Sequence, residues 1–231
     1  MIDKIIALLI YLKYESEFKS KSNIPKVIFQ TSKEKIPLYV EKMIKNKSKG
    51  WEYKYFSDED IIQFFMNNPL KQFPNIIEKF NYFKNGSHKA DLFRYYYLYI
   101  KGGVFIDSDA ILNKDIESII EDYSFVSVKS IVSNTLFNGF IATEKKNIII
   151  CNALKKIYKT KNKQLNENYH LICNQLFDIY NKYKNKNTIL LNEVHIQKYD
   201  NICVITLDRF HNIALTHFAW SKKIPKDFNY L

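Results

Sequence analysis

The chain has 231 residues, of which 46% are hydrophobic and 16% aromatic, with only five glycines and five prolines. These proportions exclude a disordered, collagen-like or linker-like protein, and the length suffices for one domain with an ample core. Three widely spaced cysteines exclude a disulfide framework and a cysteine-rich zinc site, so we expect reduced thiols in a cytoplasmic protein.

The charge balance is strongly basic. Thirty-five basic and 24 acidic side chains give a formal net charge of +11, which suits an anionic partner. Only Arg94 and Arg209 are arginines, and the lysines form no run of five or six. Because base recognition favours the planar guanidinium group, the composition favours a solvated lysine-rich surface over a specific nucleic-acid interface. A basic protein that binds nucleic acid or a membrane surface stays an alternative.

The N-terminal segment, residues 1–20, is predicted to form a helix around the apolar run Ile5–Leu12. This run is far shorter than the ~20 residues of a membrane span, and no small-residue cleavage site follows it. We expect the helix to pack on the domain. Because the run is apolar and flanked by lysine, peripheral membrane contact through residues 1–20 is the alternative.

Strand signals alternate with helical patterns from residue 24 onward. Strands are predicted at Lys26–Gln30, Trp51–Phe56, Val104–Ile106, Tyr123–Val128, Leu136–Ala142 and Ile202–Leu207. Helices are predicted at Leu38–Asn46, after the acidic cap Ser57–Asp60, at Asn75–Lys84, at His88–Ile100 with Ser87 as its cap, at Asn147–Tyr158 and at Asn168–Tyr183. This alternation favours a single α/β domain over residues 24–231, with a mostly parallel sheet flanked by helices.

The most informative segment is residues 88–109, where a helix, two glycines, a short buried strand and two aspartates follow one another. Asp107 and Asp109 come directly after the strand, and open α/β sheets bind ligands beyond the carboxyl ends of their strands. Two clustered carboxylates repel each other unless a cation joins them, which indicates Mn²⁺ or Mg²⁺. Asp91 and Arg94 lie one helical turn apart and share a face that the glycine turn brings toward the aspartates.

Each of these features has an ordinary structural explanation when it is taken alone. An isolated Asp-x-Asp sequence is common in loops, and a lone Asp91–Arg94 pair is most often a surface ion pair of little energetic weight. Two glycines commonly end a helix. Their fixed order within one short segment is what favours a functional site.

These residues resemble the DxD-containing, sugar-nucleotide-dependent glycosyltransferases of the family 32 type, which include initiating mannosyltransferases and capsular polysaccharide transferases. The clostridial glucosylating toxins are more distantly similar. The resemblance covers residues 24–112 well and the remainder weakly. It rests on Lys89, Asp91, Arg94 and Tyr95, then on Gly102, Gly103, Phe105, Asp107 and Asp109, with support from Ile24–Ile28 and Gly50–Asp60.

The resemblance implies a GT-A, Rossmann-like fold with a nucleotide-sugar and metal half at residues 24–112 and an acceptor half at 113–231. It implies transfer of a sugar, with retained configuration, from a UDP- or GDP-sugar to a glycan or other hydroxyl acceptor. The implied catalytic residues are Asp91, Arg94, Asp107 and Asp109. The implied ligands of Mn²⁺ or Mg²⁺ are Asp107, Asp109 and His217, and the implied donor contacts are Asp107, Asn138, Trp220 and Ser221.

The chain departs from the family pattern at Phe29 and Ser32, where relatives usually carry a His and a Trp. Recognition of the donor base therefore stays open, and an inactive transferase is one alternative. The strand followed by Asp107 and Asp109 also resembles haloacid dehalogenase-type phosphatases. That family needs a later acidic pair, and no Gly-Asp-x-x-x-Asp sequence occurs downstream.

Overall fold

The computed structural model describes residues 22–195, 203–206 and 213–218. The predicted helix over residues 1–20 lies outside these residues. The described strands are β1 Val27–Thr31, β2 Glu52–Phe56, β3 Gly103–Ile106, β4 Ala110–Leu112, β5 Phe125–Lys129, β6 Leu136–Thr143, β7 Thr188–His195, β8 Cys203–Thr206 and β9 Ile213–His217. The described helices are α1 Leu38–Asn46, α2 Asp58–Asn67, α3 Ile76–Tyr82, α4 Gly86–Lys101, α5 Ile116–Ile120, α6 Ile148–Lys159, α7 Asn162–Glu167 and α8 Leu171–Tyr183.

The starts of the helices follow local sequence signals. Helix α1 begins directly after Pro37, as predicted. Helix α2 begins with a capping box in which the Ser57 hydroxyl accepts the Asp60 backbone N–H and the Asp60 carboxylate accepts the Ser57 N–H. The predicted cap of α4 is wrong: the helix starts at Gly86, and the cap is Asn85, whose side chain accepts the Ser87 N–H. The asparagine competes better for this position because its side-chain oxygen reaches the free N–H groups of the first turn.

All nine described strands form one mixed sheet in the order β2-β1-β3-β6-β5-β7-β8-β9-β4. Strand β1 pairs parallel with β2 and β3, and β5 pairs parallel with β7. The other five pairings are antiparallel. Following these pairings across the sheet, six strands run in one direction and β4, β6 and β8 run in the other. Most strands therefore point the same way, and the predicted α/β architecture with a mostly parallel sheet is confirmed in that respect.

The two faces of the sheet bury different side chains, because neighbouring residues of a strand point to opposite sides. Phe29 and Phe105 belong to an aromatic-rich cluster with helices α2, α3, α4, α6 and α8. Ile28 and Val104 belong to an aliphatic cluster with α1 and α5 on the other face. The ring centroid of Phe29 lies 5.2 Å from that of Phe105 and 6.1 Å from that of Phe93. Phe29, one of the departures from the family pattern, is thus a core residue.

Two glycines make the sharp turn from α4 into β3. Gly102 and Gly103 have φ angles of 66° and 105°, and a Cβ on Gly103 would lie 2.7 Å from the Val27 carbonyl oxygen. Arg94 lies about 12 Å back along the helix axis from this turn. The four residues of β3 rise about 13 Å from the same turn. The middle of α4 and the end of β3 therefore lie at about the same distance from the turn.

Five described elements were not predicted: β4, β7, β9, α5 and α7. Two of them, β4 and α5, are only three and five residues long, so a period in hydrophobicity is hard to detect in them. Among the described residues, no helix has the length and apolar character that a membrane span requires.

Candidate active site

The backbone of Asp107 is held from three sides. Strand β3 ends at Ile106, and the Asp107 N–H donates to the Gly139 carbonyl oxygen of β6 at 2.8 Å. The Asp107 carbonyl oxygen accepts the Ala110 N–H at 3.0 Å and the Gln30 Nε2–H at 2.9 Å. Because both backbone polar groups are bonded, the turn after β3 directs the Asp107 carboxylate with little freedom.

Asp109 meets His217 through the pairing of β4 with β9. The antiparallel register places Ala110 opposite His217, and the Phe218 N–H donates to the Asp109 carbonyl oxygen at 2.9 Å. The His217 Nε2 atom lies 3.3 Å from the Asp109 Oδ1 atom. The imidazole therefore reaches the acidic turn from a strand that is distant in the sequence.

Asp107, Asp109 and His217 form a cluster that can hold a metal ion. One ligand atom from each lies within 4.8 Å of the others. Burial raises the pKa of Asp107, and the Asp109 carboxylate raises it further against the opposing effect of Arg94. A cation at this point would remove the repulsion between the two carboxylates. Two carboxylates and one imidazole form a donor set that suits Mn²⁺ well, so the residues present fit the expected divalent cation.

Arg94 joins Asp91 to this cluster. Its Nη2 atom lies 3.4 Å from Asp91 Oδ1 and 3.3 Å from Asp107 Oδ1, and its side chain is 4% exposed. The guanidinium carbon lies 4.0 Å from the centre of the Phe105 ring, which packs against its face. Burial lowers the pKa of Arg94, but Asp107 and Asp91 outweigh this effect and keep the pKa above its ordinary value. Arg94 is therefore a fixed positive charge between two acids.

Asn138 connects the same helix to β6. The Arg94 Nη1–H donates to the Asn138 carbonyl oxygen, and the Tyr95 hydroxyl donates to Asn138 Oδ1 at 2.8 Å. The Asn138 Nδ2–H donates to Asp91 Oδ1 at 3.2 Å. Burial raises the pKa of Asp91, whereas Arg94 and the Asn138 hydrogen bond oppose this rise. The expected site residues Asp91, Arg94 and Asn138 thus form one buried polar network.

Two residues that the sequence analysis did not identify support the backbone of Asp107. The Tyr53 hydroxyl donates to Gln30 Oε1 at 2.8 Å, and the fully buried Gln30 side chain holds the Asp107 carbonyl oxygen. The Phe137 ring lies 4.5 Å from the His217 ring, measured between centroids. A glutamine near the end of a hydrophobic strand was the sequence signal for the contact between Gln30 and Asp107.

The thiol of Cys173, at the start of α8, also lies close to the buried network. Burial is the largest effect that raises its pKa to about 12, and the charge of Asp91 adds to it. The thiol is therefore protonated at neutral pH.

Two expected donor contacts, Trp220 and Ser221, lie outside the described residues. Ser32, the second departure from the family pattern, lies just after β1, where its hydroxyl accepts the Glu34 N–H at 3.3 Å. Its carbonyl oxygen accepts the Tyr55 hydroxyl at 2.9 Å. These two bonds stabilise the turn after β1.

Residues 21–126 match the family model described as a glycosyltransferase sugar-binding region containing a DXD motif. Over these residues the chain is similar to glycosyltransferases that carry a DXD motif. The matched region contains Asp91, Arg94, Asp107 and Asp109, whereas His217 lies beyond it. The expected DXD motif is thereby confirmed, and the structure places the expected His217 imidazole beside it.

A curated relative and a solved structure agree with this assignment. The chain is 28% identical over 116 residues to the initiation-specific alpha-1,6-mannosyltransferase of Saccharomyces cerevisiae, a match that covers 46% of this chain and only 24% of the yeast protein. The PaToxG glycosyltransferase structure is similar with a TM-score of 0.50 over 79% of this chain and 80% of that chain, at 16% identity. At this identity the structural similarity concerns the fold, and it confirms the expected glycosyltransferase architecture.

Proposed function

We propose that the protein is a metal-dependent, retaining glycosyltransferase that moves a sugar from a UDP- or GDP-sugar to a glycan or other hydroxyl acceptor. The observation that carries this proposal is the meeting of the Asp107–Asp109–His217 cluster with the buried Asp91–Arg94–Asn138 network. Retention of configuration follows the family that the sequence resembles. The glycosyltransferase region, the yeast relative and the fold support the same reaction class.

The cluster of two carboxylates and an imidazole would hold Mn²⁺ or Mg²⁺. When bound there, the cation supplies a positive charge that stabilises the diphosphate leaving group. Asp107 belongs to this cluster and its Oδ1 atom also lies 3.3 Å from Arg94, so its carboxylate connects the proposed metal site to the proposed sugar site. Asp107 is proposed to contact the donor as well.

The buried network would orient the donor sugar. Asp91 accepts hydrogen bonds, and Asn138 and Arg94 hold it in one position. A sugar hydroxyl that donates to the Asp91 carboxylate would be fixed without any rearrangement of these side chains, which favours reaction through alignment. Trp220 and Ser221 are proposed as further donor contacts.

A screen of nucleotide sugars with Mn²⁺, scored by release of the nucleoside diphosphate, tests the proposal. We expect one donor to be hydrolysed slowly, and Asp109→Ala to lower the rate by about a hundredfold or more while the fold is retained. The exposed Asp122→Ala is the matched control and should keep the parent rate. Equal rates for Asp109→Ala and the parent, or an equal rate in EDTA, would contradict metal dependence. Release of phosphate from an aryl phosphate would favour a phosphatase instead.

A further inference from the structure

Most of the net positive charge belongs to one part of the chain. Residues 145–186 contain ten lysines and two acids, Glu167 and Asp178, a net charge of +8 out of the +11 of the whole chain. This part comprises helices α6, α7 and α8 with their connections. The net positive charge is therefore concentrated on this group of helices and their connections, although most of the lysines lie elsewhere in the chain.

Part of this charge lines a groove of about 450 Å³ between α6 and α8. Lys155, Lys156 and Lys159 line it from α6, and Lys182 lines it from α8. These four residues, here called the lysine groove, are all exposed. None of the four forms an ion pair with another residue of the described part of the chain. Asp178 is the acid in the lining, so the groove has an excess of positive charge.

The buried apolar side chains of the two helices lie on a different side from the lysines. In α6 the buried residues are Ile149, Ile150, Ala153, Leu154 and Ile157. Ile148, which is 49% exposed, lies on the same face as Lys155 and Lys159 because residues seven and eleven positions apart share a side of a helix. The half-buried Tyr183 also lines the groove. The face thus combines exposed ammonium groups with an exposed apolar side chain.

The lysine groove is separate from the candidate active site. Cys173 lies beside the buried network, and Lys182 lies nine residues further along α8, about 14 Å along the helix axis. A partner at the groove would therefore leave the Asp107–Asp109–His217 cluster accessible.

We infer that the lysine groove docks the protein on the surface of a bilayer that contains anionic lipids. Lysine is a compact, hydrated point charge on a long apolar stem, which suits a diffuse layer of negative headgroups. Clusters of four to eight basic residues on helices are typical of contact with anionic lipid. No arginine lines the groove to form bidentate contacts with bases or single phosphates. This inference goes beyond the proposed transfer reaction and does not depend on it.

Co-sedimentation with vesicles tests this surface. The full chain is mixed with phosphatidylcholine vesicles that contain about one-third phosphatidylserine, and with pure phosphatidylcholine vesicles, at increasing salt. The groove variant is K155Q/K156Q/K159Q/K182Q. The control variant removes four exposed lysines elsewhere, K42Q/K49Q/K71Q/K114Q, so both variants have the same net charge. Thermal unfolding establishes that both variants are folded.

We expect the parent to bind the phosphatidylserine vesicles, to lose binding at high salt and to ignore pure phosphatidylcholine. The groove variant should bind on the order of a hundredfold more weakly, and the control variant should lose less than tenfold. Equal losses in the two variants would overturn the inference, because net charge alone would then explain binding. A duplex DNA oligonucleotide that binds the parent through these lysines more tightly than the vesicles would overturn the choice of a bilayer. Donor hydrolysis in solution should be the same in both variants.

Discussion

Gly139 lies directly behind the carboxylate of Asp107. A Cβ at position 139 would come within 2.4 Å of Asp107 Oδ2 and within 2.0 Å of the Phe137 ring. The same residue accepts the Asp107 N–H through its carbonyl oxygen, so the two backbones are fixed relative to each other. The missing side chain at Gly139 is therefore what leaves room for the carboxylate in its present direction.

Gly139→Ala is expected to displace the Asp107 carboxylate, because the backbone contact prevents the new Cβ from moving away. We expect affinity for Mn²⁺ to fall by about tenfold or more and donor hydrolysis to fall with it. Isothermal titration with Mn²⁺ measures the first effect. Gly86→Ala is the control, since nothing lies within 4 Å of its added Cβ and alanine favours the first turn of α4. Unchanged Mn²⁺ affinity in Gly139→Ala would refute the role of this contact.

His217→Phe separates ligation from packing. Phenylalanine keeps a ring beside Phe137 but removes the nitrogen that lies 3.3 Å from Asp109. If the imidazole is a metal ligand, Mn²⁺ should bind at least tenfold to a hundredfold more weakly, with little change in the melting temperature of the metal-free protein. Thermal unfolding with and without Mn²⁺ measures both quantities. A shift on Mn²⁺ addition equal to that of the parent would show that His217 is not a ligand.

Asp91→Asn should lose activity without losing stability. Burial raises the pKa of Asp91 above its unfolded value, so the folded state binds the proton more tightly and its stability falls as pH rises through this range. Asparagine cannot ionise, so it removes the cost of keeping a buried carboxylate charged. At about pH 7 we expect an unchanged or higher melting temperature, together with a loss of transfer of about a hundredfold. The gain in melting temperature should disappear near pH 4 and below. A large drop in melting temperature at neutral pH would instead show that the ion pair with Arg94 outweighs the cost of burying the charge.

Tyr53→Phe tests the support behind Asp107. The substitution leaves Gln30 Oε1 buried without its donor, which should cost about 1–3 kcal/mol in the free energy of unfolding. Urea denaturation measures this cost. Tyr82→Phe, at a tyrosine that is 47% exposed, should change stability by less than about 0.5 kcal/mol. Stability of Tyr53→Phe equal to that of the parent would show that the Tyr53 hydrogen bond contributes nothing.

The Cys173 thiol should react slowly with alkylating reagents. With a pKa of about 12, only about one molecule in ten thousand carries the thiolate at pH 8. We expect iodoacetamide to modify Cys173 far more slowly in the folded protein than in urea, and the rate to increase with pH. Mass spectrometry of the peptide that contains Cys173 gives the rate, and equal rates in the two states would contradict its raised pKa.

The sequence predicted the part of the site that is local in the chain. Asp91, Arg94, Asp107 and Asp109 lie within one segment, and the lengths of α4 and β3 bring them to one level. Periodicity could not predict the position of His217, because it depends on the pairing of the three-residue strand β4 with β9. The resemblance to a family named this histidine, and the pairing places it.

Contacts between distant polar residues were the other part that periodicity could not supply. Gln30 and Tyr53 lie on neighbouring strands whose register is fixed only by the sheet. The lysine groove depends in the same way on the packing of α6 against α8, which places Lys182 beside lysines from another helix. Alternating apolar and polar residues predict which face is buried, but they do not say which helix packs beside which.

The pairing of β4 with β9 also bears on the time at which the protein matures. Asp109 leaves the ribosome roughly a hundred residues before His217. Until β9 has been synthesised, β4 has no described neighbour in the sheet and the acidic turn lacks its imidazole. The complete set of proposed metal ligands is therefore expected to form only late in synthesis.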